Sequence, residues 1–503
     1  MIGAWPVAEV RAAEEALMAR LPDGALMHRA AHGLAVACRR LLGRSYGARV
    51  VLLVGAGNNG GDALYAGARL ARGGAQVTAI LLSPERAHAG GLAALRGARG
   101  RVLAGTDAAE AAAVLAGADL VLDGIVGIGG SGGLRPRAAE LVEETLGSGA
   151  LRVAVDVPSG VDSDTGAVPG AVFPAEVTVT FGCHKPGLLV GAGAVAAGRV
   201  ELVDIGLGAY LPRPRLEVVE PADVAAGLRR PTARDDKYTR GVVGVAAGSS
   251  RFTGAALLAV GAAVRGPAGM VRYVGPVADL VRSHYPEVVV SEGRPTDAGR
   301  VQSWVVGPGM GTDEAAREVL HDVLGTDLPV LVDADGLTLL AADPGRLAGR
   351  RAPTVLTPHD REFARLAGFV PGPDRLAAAR RAAGTLGCVV LLKGDRTIVA
   401  RPDGRAFVDR AGTPWLATAG SGDVLSGLTG ALLASGAAGA GAGVAGGSVR
   451  APAFDPARLA ASGVALHGRA GRIAARYGVP SAAGVLAAVP ESFATVGLAD
   501  GRP

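Results

Sequence analysis

The stretch RVVLLVGAGNNGGDALYAGARLARGG, residues 49–74, decides the fold of the first half of the chain. It opens with an apolar run typical of a buried strand and closes with a helical pattern of small and apolar residues. Four glycines crowd the turn between them, at positions 55, 57, 60 and 61. A strand, a glycine-rich turn and a helix in this order predict an α/β unit with a parallel sheet.

The same alternation continues outward from this stretch. Two helices are predicted before it, at 8–21 and 26–42, and apolar strands after it at 77–82, 119–127, 151–160 and 176–182. A Pro- and Arg-rich region near 205–235 interrupts the pattern, which resumes with strands at 242–248, 271–275, 303–309, 329–336, 353–359 and 388–394. We therefore predict two different three-layer α/β/α domains, residues 1–215 and 225–497, and the alternation in the first half indicates a parallel sheet covered on both faces. The low-complexity stretch 434–456 is predicted to be a flexible surface loop.

Composition excludes several classes of protein. With 503 residues, 49% of them hydrophobic and 19% charged, the chain is not mainly disordered. Its net charge of +5 is weak for this length, and no basic run interleaves with aromatic residues, so we expect no nucleic-acid partner. The longest apolar runs are too short for a membrane span, so we expect no membrane partner. Three dispersed cysteines and the lack of a signal peptide predict a cytoplasmic protein.

Three strand ends in the first half carry polar side chains. Asn58, Asn59 and Asp62 lie in the glycine-rich turn, Asp123 ends a strand in DGIVGIGGSGGLR, and AVDVPSGVDSDTG follows with Asp156 and Ser159. Ligands bind at the C-terminal strand ends of open α/β sheets. These oxygens could converge on a hard cation and a proton-transfer carboxylate, or each aspartate could simply cap a turn or helix.

These motifs, together with TFGCHKPGLL (180–189), resemble the NAD(P)H-hydrate epimerase domain over about residues 5–210. The resemblance implies a Rossmann-like fold that interconverts the two C6 epimers of a hydrated nicotinamide dinucleotide, with a bound potassium ion. It implies potassium ligands at Asn59, Asp123 and Ser159, and Asp156 as the acid/base residue. It implies hydrate contacts at Asn58, Asn59, Gly60, Gly61, Asp62, Gly127, Ile128, Gly129, Gly130, Ser131, Gly132, Gly133 and Asp156. Lys185, one of only three lysines, falls in the family's Lys-Pro-Gly motif, whereas IVGIGGSGG departs from the usual Gly-Thr-Gly.

The strongest signal in the second half is GTPWLATAGSGDVLSGLTGALLAS, residues 412–435. Amides of a glycine-rich turn at a helix start form an anion cradle, and Asp423 in that turn can accept a proton from a hydroxyl. Lys393 at a strand end suits phosphate oxygens. Asp333 and Asp335 in LVDADGL could hold magnesium through water or could be turn-formers.

In this order the motifs resemble the ADP-dependent NAD(P)H-hydrate dehydratase domain, a ribokinase-like family, from Lys237 to the C-terminal PSAAGVLAAVP. The resemblance implies hydrate contacts at Ala255, Gly309 or Gly311, His359 and Asp423. It implies adenine-nucleotide contacts at Lys393, Gly394, Asp395, Arg396, Thr397 and Gly422. A lone histidine such as His359 is more often structural, and AAGSS replaces the family's usual Gly-Gly-Ser.

The two halves in this order look like the bifunctional NAD(P)H-hydrate repair enzymes, with small-molecule substrates and a homo-oligomeric state expected. Asp423 would take the proton of the C6 hydroxyl as the hydroxyl oxygen attacks the terminal phosphate of ADP. Magnesium and the anion cradle would stabilise the negative charge on the phosphoryl oxygens, and AMP and phosphate would be released. Two alternatives stay open. The second half could be a ribokinase-like small-molecule kinase, and the first a dinucleotide-sensing or partner-binding module.

Overall fold

The computed structural model describes residues 1–130, 132–291, 293–441 and 453–497. The chain divides into two compact units, Gly3–Arg215 and Leu216–Pro503, and Met1–Ile2 groups with the second of them. None of the helices within the described ranges is long and apolar enough to cross a membrane.

The first unit alternates strands and helices along most of its length. Its helices are α1 (Val7–Met18), α2 (Ala25–Leu42), α3 (Asn58–Arg72), α4 (Ala89–Gly97), α5 (Ala108–Ala116), α6 (Pro136–Leu146) and α7 (Gly191–Ala196). Its strands are β2 (Arg49–Val54), β3 (Gln76–Leu81), β4 (Arg101–Ala104), β5 (Leu120–Gly124), β6 (Leu151–Val155), β7 (Val177–Phe181) and β8 (Arg199–Val203). A short β1 (Ile2–Ala4) precedes them in the chain and is not part of their sheet. The order β4-β3-β2-β5-β6-β7-β8, with every pairing parallel, confirms the predicted Rossmann-like class.

Strand order reverses between β2 and β5, because the chain moves from β2 outward to β3 and β4 and then returns to the other side. Such a switch leaves a crevice beyond the carboxyl ends of the two strands, where ligands of open α/β sheets bind. The glycine-rich turn at 55–58 follows β2 and the loop at 125–133 follows β5. The topology therefore brings together the two loops that the sequence marked as binding elements.

The second unit is built from β9 (Leu216–Val218) to α17 (Ala482–Ala494). Its helices are α8 (Pro221–Gly227), α9 (Thr253–Val264), α10 (Ala278–His284), α11 (Glu314–Leu324), α12 (Ala334–Ala342), α13 (Asp360–Ala367), α14 (Arg375–Leu386), α15 (Ser421–Gly441), α16 (Pro456–Ala474) and α17. Its further strands are β10 (Val242–Ala246), β11 (Met270–Val274), β12 (Val289–Ser291), β13 (Ser303–Val306), β14 (Val330–Val332), β15 (Thr354–Leu356), β16 (Val389–Leu392), β17 (Ile398–Ala400) and β18 (Ala406–Val408).

The sheet of this unit is mixed rather than wholly parallel. From β9 the order is β9-β18-β17-β16-β15-β14-β13-β10-β11-β12, and β17 pairs antiparallel to both β16 and β18. The remaining pairings from β10 to β16 are parallel. Strands β17 and β18 have three residues each, and their sequences show no periodic pattern from which a strand could be predicted.

The predicted flexible loop at 434–456 is wrong for its first residues. Helix α15 continues to Gly441, and Ala434 and Ser435 are buried. Alanine favours helix, and small side chains let α15 pack closely against its neighbours. A Cβ at Gly427 would lie 1.9 Å from the carbonyl oxygen of Ala259 in α9, so the two helices touch at this point. Residues 442–452 of the stretch lie outside the described part of the chain.

Two candidate active sites

The first site is a cavity of about 730 Å³ beyond the carboxyl ends of β2, β5 and β6. Seven of its lining residues were singled out in the sequence: Asn58, Asn59, Asp62, Gly127, Ile128, Gly129 and Asp156. The turn that enters α3 depends on Gly57, whose φ of +92° lies where side chains are strained. Gly57, Asn58 and Asn59 at this helix start line the cavity, and helix N-termini are favourable sites for anionic ligands.

Asp123 and Ser159 form a buried oxygen cluster at the end of β5. The Ser159 hydroxyl donates to Oδ1 of Asp123 at 2.6 Å, and the Ser159 amide donates to Oδ2 at 2.8 Å. Burial raises the pKa of Asp123 to about 6 despite these donors. A Cβ at Gly127 would lie 2.8 Å from Oδ1 of Asn59, so that amide packs on the loop after β5. Nδ2 of Asn59 is buried without a hydrogen-bond partner.

Asp156 stands at the end of β6 on strained backbone, with φ of +66°. Its Oδ1 accepts from Lys185 Nζ at 2.5 Å, from Thr180 Oγ1 at 3.0 Å and from the Phe181 amide at 3.2 Å. Lys185 is 1% exposed, and its ammonium also donates to Thr180 Oγ1 and to the Phe181 carbonyl. All three ammonium donors are thus used inside the protein. The lysine of the Lys-Pro-Gly motif holds Asp156 in place.

Part of the predicted set does not line this cavity. Gly60, Gly61, Gly130, Gly132 and Gly133 are absent from its lining, and Ser131 lies outside the described residues. The cavity instead includes residues that the motifs did not mark: Arg11, Glu14, His28, Tyr65 and His88. Since they come from α1, α2, α3 and the turn before α4, only the packing of these elements could reveal them.

The second site lies at the start of α15. Gly420 has φ of +86°, and Ser421, Gly422 and Asp423 form the first turn of the helix. Burial, followed by the nearby charge of Asp333, raises the pKa of Asp423 to about 7. A carboxyl group with this pKa exchanges a proton readily near neutral pH, as a general base must. The turn therefore combines an anion cradle with a base.

An ion pair between the half-buried Lys393 and the buried Asp333 lies against this turn. Lys393 Nζ donates to Oδ1 of Asp333 at 2.8 Å and is 3.8 Å from Oε2 of Glu362, while Ser426 Oγ donates to Oδ2 of Asp333 at 2.6 Å. A Cβ at Gly422 would lie 3.6 Å from Lys393 Nζ. Burial acts to raise the pKa of Asp333, but the charge of Lys393 together with hydrogen bonds from Lys393, Ser426 and Thr357 holds that pKa below its usual value. Asp333 is thus already paired with a cation.

The predicted hydrate contacts Ala255, Gly309 and His359 come from three different elements, namely the first turn of α9, the loop after β13 and the N-cap of α13. A Cβ at Gly309 would lie 2.7 Å from Cβ of Ala255, whereas one at Gly311 would meet nothing within 4 Å. The Gly311 amide donates to Oδ2 of Asp335 at 2.9 Å, so this aspartate fastens the loop. His359 caps α13 by accepting at Nδ1 from the Arg361 and Glu362 amides, which gives it a structural role whatever else it does.

The predicted nucleotide contacts 393–397 form the turn between β16 and β17. Gly394 and Asp395 are exposed there, and Arg375 Nη2 donates to the Lys393 carbonyl at 2.8 Å. One buried pair was missed: Ser421 Oγ lies 3.1 Å from Nε2 of His467 in α16. Burial lowers the pKa of His467 to about 4, so this imidazole is neutral near pH 7.

The fold and the sites define a two-domain α/β protein, with a cavity at a topological switch point of the first sheet and a glycine-rich turn carrying Asp423 at a helix start of the second unit. Comparison with family models matches residues 23–187 to the YjeF-related protein N-terminus and residues 243–486 to NAD(P)H-hydrate dehydratase. The chain belongs to the family of bifunctional NAD(P)H-hydrate repair enzymes.

Two relatives of high sequence identity support this assignment, and one solved structure is similar to the second half of the chain. The chain is 53% identical over 437 residues to the bifunctional NAD(P)H-hydrate repair enzyme Nnr of Mycobacterium tuberculosis, covering 86% of this chain and 89% of that protein. It is 39% identical to Nnr of Corynebacterium glutamicum over 459 residues, covering 76% and 78%. The crystal structure of ADP/ATP-dependent NAD(P)H-hydrate dehydratase from Bacillus subtilis, co-crystallized with ATP and Mg²⁺, matches 56% of this chain and 98% of its own. Its identity is 25% and its TM-score 0.47.

Proposed function

We propose that the first unit interconverts the R and S hydrates of NADH and NADPH, and that the second dehydrates the S hydrate at the expense of ADP or ATP. The 53% identity to named repair enzymes over most of both chains supports this assignment most strongly. The arrangement at Asp423, a half-buried carboxyl in the first turn of a helix with glycine on both sides of Ser421, supports the second activity independently.

In the first unit, Asp156 is the proposed acid/base residue at C6 of the hydrated ring. Lys185 keeps its carboxylate oriented toward the cavity by occupying Oδ1. Asp123, Ser159 and Asn59 would hold potassium, and their chemistry fits, because carboxylate, hydroxyl and amide oxygens are hard donors. Asp123 is also a fully buried carboxyl with no cation among its hydrogen-bond donors. Bound potassium would neutralise that charge.

In the second unit, Asp423 takes the proton of the C6 hydroxyl while the hydroxyl oxygen forms a bond to the terminal phosphorus of the nucleotide. The bond from that phosphorus to the bridging oxygen breaks, so AMP leaves from ADP, or ADP from ATP. Amides at the start of α15 stabilise the charge on the phosphoryl oxygens. The ring nitrogen then expels phosphate, C5 loses a proton, and the reduced dihydronicotinamide returns. The neutral His467 fixes the Ser421 hydroxyl beside this turn.

Magnesium is proposed to arrive with the nucleotide. Asp333 does not fit as its ligand, because Lys393 and Ser426 occupy its two oxygens. Within the described residues, no cluster of three or more His, Cys, Asp or Glu side chains suits a metal ion. Magnesium commonly binds through substrate phosphates and water rather than an all-protein cage.

Purified full-length protein tests this function with hydrated NADH and ADP or ATP. We expect the absorbance of the reduced ring to return together with free phosphate. A small-molecule kinase would instead leave a stable phosphorylated product, and no recovery with either nucleotide would refute the repair function.

Two matched variants separate the activities. Asp423→Asn is expected to abolish dehydration while R and S hydrates still exchange, and Asp156→Asn to stop exchange while the S hydrate is still dehydrated. Exchange that survives in Asp156→Asn with intact binding would favour the sensing-module alternative. A cytoplasmic location and a homo-oligomeric state remain predictions.

A further inference from the structure

The first cavity contains the carboxyl group of Asp62, to which the sequence motif assigns a contact with the hydrate but no chemical role. Asp62 lines the cavity from α3, is 9% exposed, and keeps Oδ1 buried without a hydrogen-bond partner. An ionised carboxylate left in that state would forfeit its solvation. Asp156 in the same cavity differs from Asp62 in this respect, because three hydrogen-bond donors converge on one of its carboxylate oxygens. The two carboxyl groups therefore differ in how well the protein supports a negative charge.

The surrounding charges sharpen that difference. Glu14 of α1 also lines the cavity, so three carboxyl groups share it with Lys185 close by. Burial, then the charges of Asp156 and Glu14, raises the pKa of Asp62 well above its usual value, while Lys185 opposes this. The ammonium cannot donate to Asp62, since its three protons are engaged elsewhere. Other charged or titratable groups that face this space are Arg11, His28, Tyr65 and His88.

We propose that Asp62 is a second catalytic residue of the epimerase cavity: it carries the proton that leaves with the C6 hydroxyl, while Asp156 receives a proton from the water that adds to the opposite face. This inference rests on the proposed epimerase function. Glu14 is a positioning residue that acts through Asp62, because its negative charge favours the protonated form of the Asp62 carboxyl group.

The step balances with water as the only co-reactant. Asp62 protonates the hydroxyl, the C6–O bond breaks, water departs with the bonding pair, and the N1 lone pair forms an N1=C6 double bond. Water then attacks C6 from the other face, the double-bond pair returns to N1, and the surplus proton passes to Asp156. The ring cation forms between carboxyl groups whose net negative charge stabilises it. The reverse epimerisation starts with the proton on Asp156, so one shared proton serves both directions.

The test uses the full chain and chromatographic separation of the R and S hydrates. Asp62→Asn is expected to lower kcat for epimer exchange about 10²- to 10⁴-fold, the usual contribution of acid–base catalysis, with KM changed only a few-fold. A melting temperature close to that of wild-type protein reports that the first unit of the variant is folded. In H₂¹⁸O, wild-type protein is expected to place one solvent oxygen at C6 for each epimerisation event above the enzyme-free rate.

Glu14→Gln supplies a readout that a structural role would not move. Removing this charge lowers the pKa of Asp62, so the loss of exchange at alkaline pH is expected to shift to lower pH. Three results would each overturn the inference. They are a kcat for epimer exchange in Asp62→Asn equal to that of wild type, epimerisation without incorporation of solvent oxygen, and a pH profile of epimer exchange in Glu14→Gln that matches wild type. Absence of epimer exchange in the wild-type protein would instead refute the proposed function of the cavity.

Discussion

Nζ of Lys393 donates a 2.8 Å hydrogen bond to Oδ1 of Asp333, and this ion pair lies beside the glycine turn that carries Asp423. The two partners come from the ends of β16 and β14, about sixty residues apart in sequence. The lysine lowers the pKa of Asp423 and the aspartate raises it. The pair thus sets the electrostatic environment of the proposed base.

Breaking this pair is expected to destabilise the protein. Lys393→Met should lower the free energy of unfolding by about 3–5 kcal/mol, because the buried Asp333 carboxylate loses its cation. The double variant Lys393→Met/Asp333→Asn should be less destabilised than the lysine variant alone. Urea unfolding measures both, with Arg317→Ala, which breaks an exposed pair with Glu314, as a control of little effect. Additive losses in the double variant would contradict the coupling.

Dehydration is expected to depend on pH through Asp423. Its pKa is about 7, and only the ionised form accepts the hydroxyl proton. The value of kcat/KM should therefore fall about tenfold per pH unit below that pKa and reach a plateau above it. Initial rates of reduced-ring recovery between about pH 5 and pH 8.5 measure this. A flat profile across that range would exclude Asp423 as the base.

Potassium is expected to support epimer exchange and to stabilise the protein. A ligand that binds only the folded state raises its unfolding free energy by mass action. Replacing potassium by tetramethylammonium should slow exchange and lower the melting temperature, and Asp123→Ala should abolish both responses. Asp119→Ala is the matched control, because Asp119 precedes β5 and is exposed. A potassium response retained in Asp123→Ala would argue against this ion site.

Two helical glycines are expected to respond oppositely to alanine. Gly427→Ala places a methyl group against the Ala259 carbonyl oxygen and should cost about 1–3 kcal/mol of overpacking. Gly384 in α14 has only one atom near the added Cβ, at 3.8 Å, so Gly384→Ala should gain about 0.5–1 kcal/mol from helix propensity. Thermal unfolding compares the two variants. Equal destabilisation would mean that the contact between α15 and α9 does not constrain Gly427.

Much of the fold could be predicted from the local pattern of apolar and small residues. Where that prediction failed, the reason lies in the particular stretch of sequence. Strands β2, β5, β6 and β7 are apolar runs long enough to be recognised. Strands β17 and β18 were missed because three residues carry no period, so their antiparallel pairing was missed too. The stretch 434–441 lacks bulky side chains, and its helix is supported by packing of α15 that sequence does not display.

Sequence by itself determined the two α/β domains, the chemistry of the turns after β2 and at the start of α15, and the family, because these depend on contiguous residues. Only the tertiary structure decided which distant groups act on them. The tertiary structure pairs Lys185 with Asp156 and Lys393 with Asp333. It also places Glu14 of α1 in the same cavity as Asp62. The physical reason is that the ionisation of a buried carboxyl depends on burial and on charges a few ångströms away, which folding brings together from remote parts of the chain.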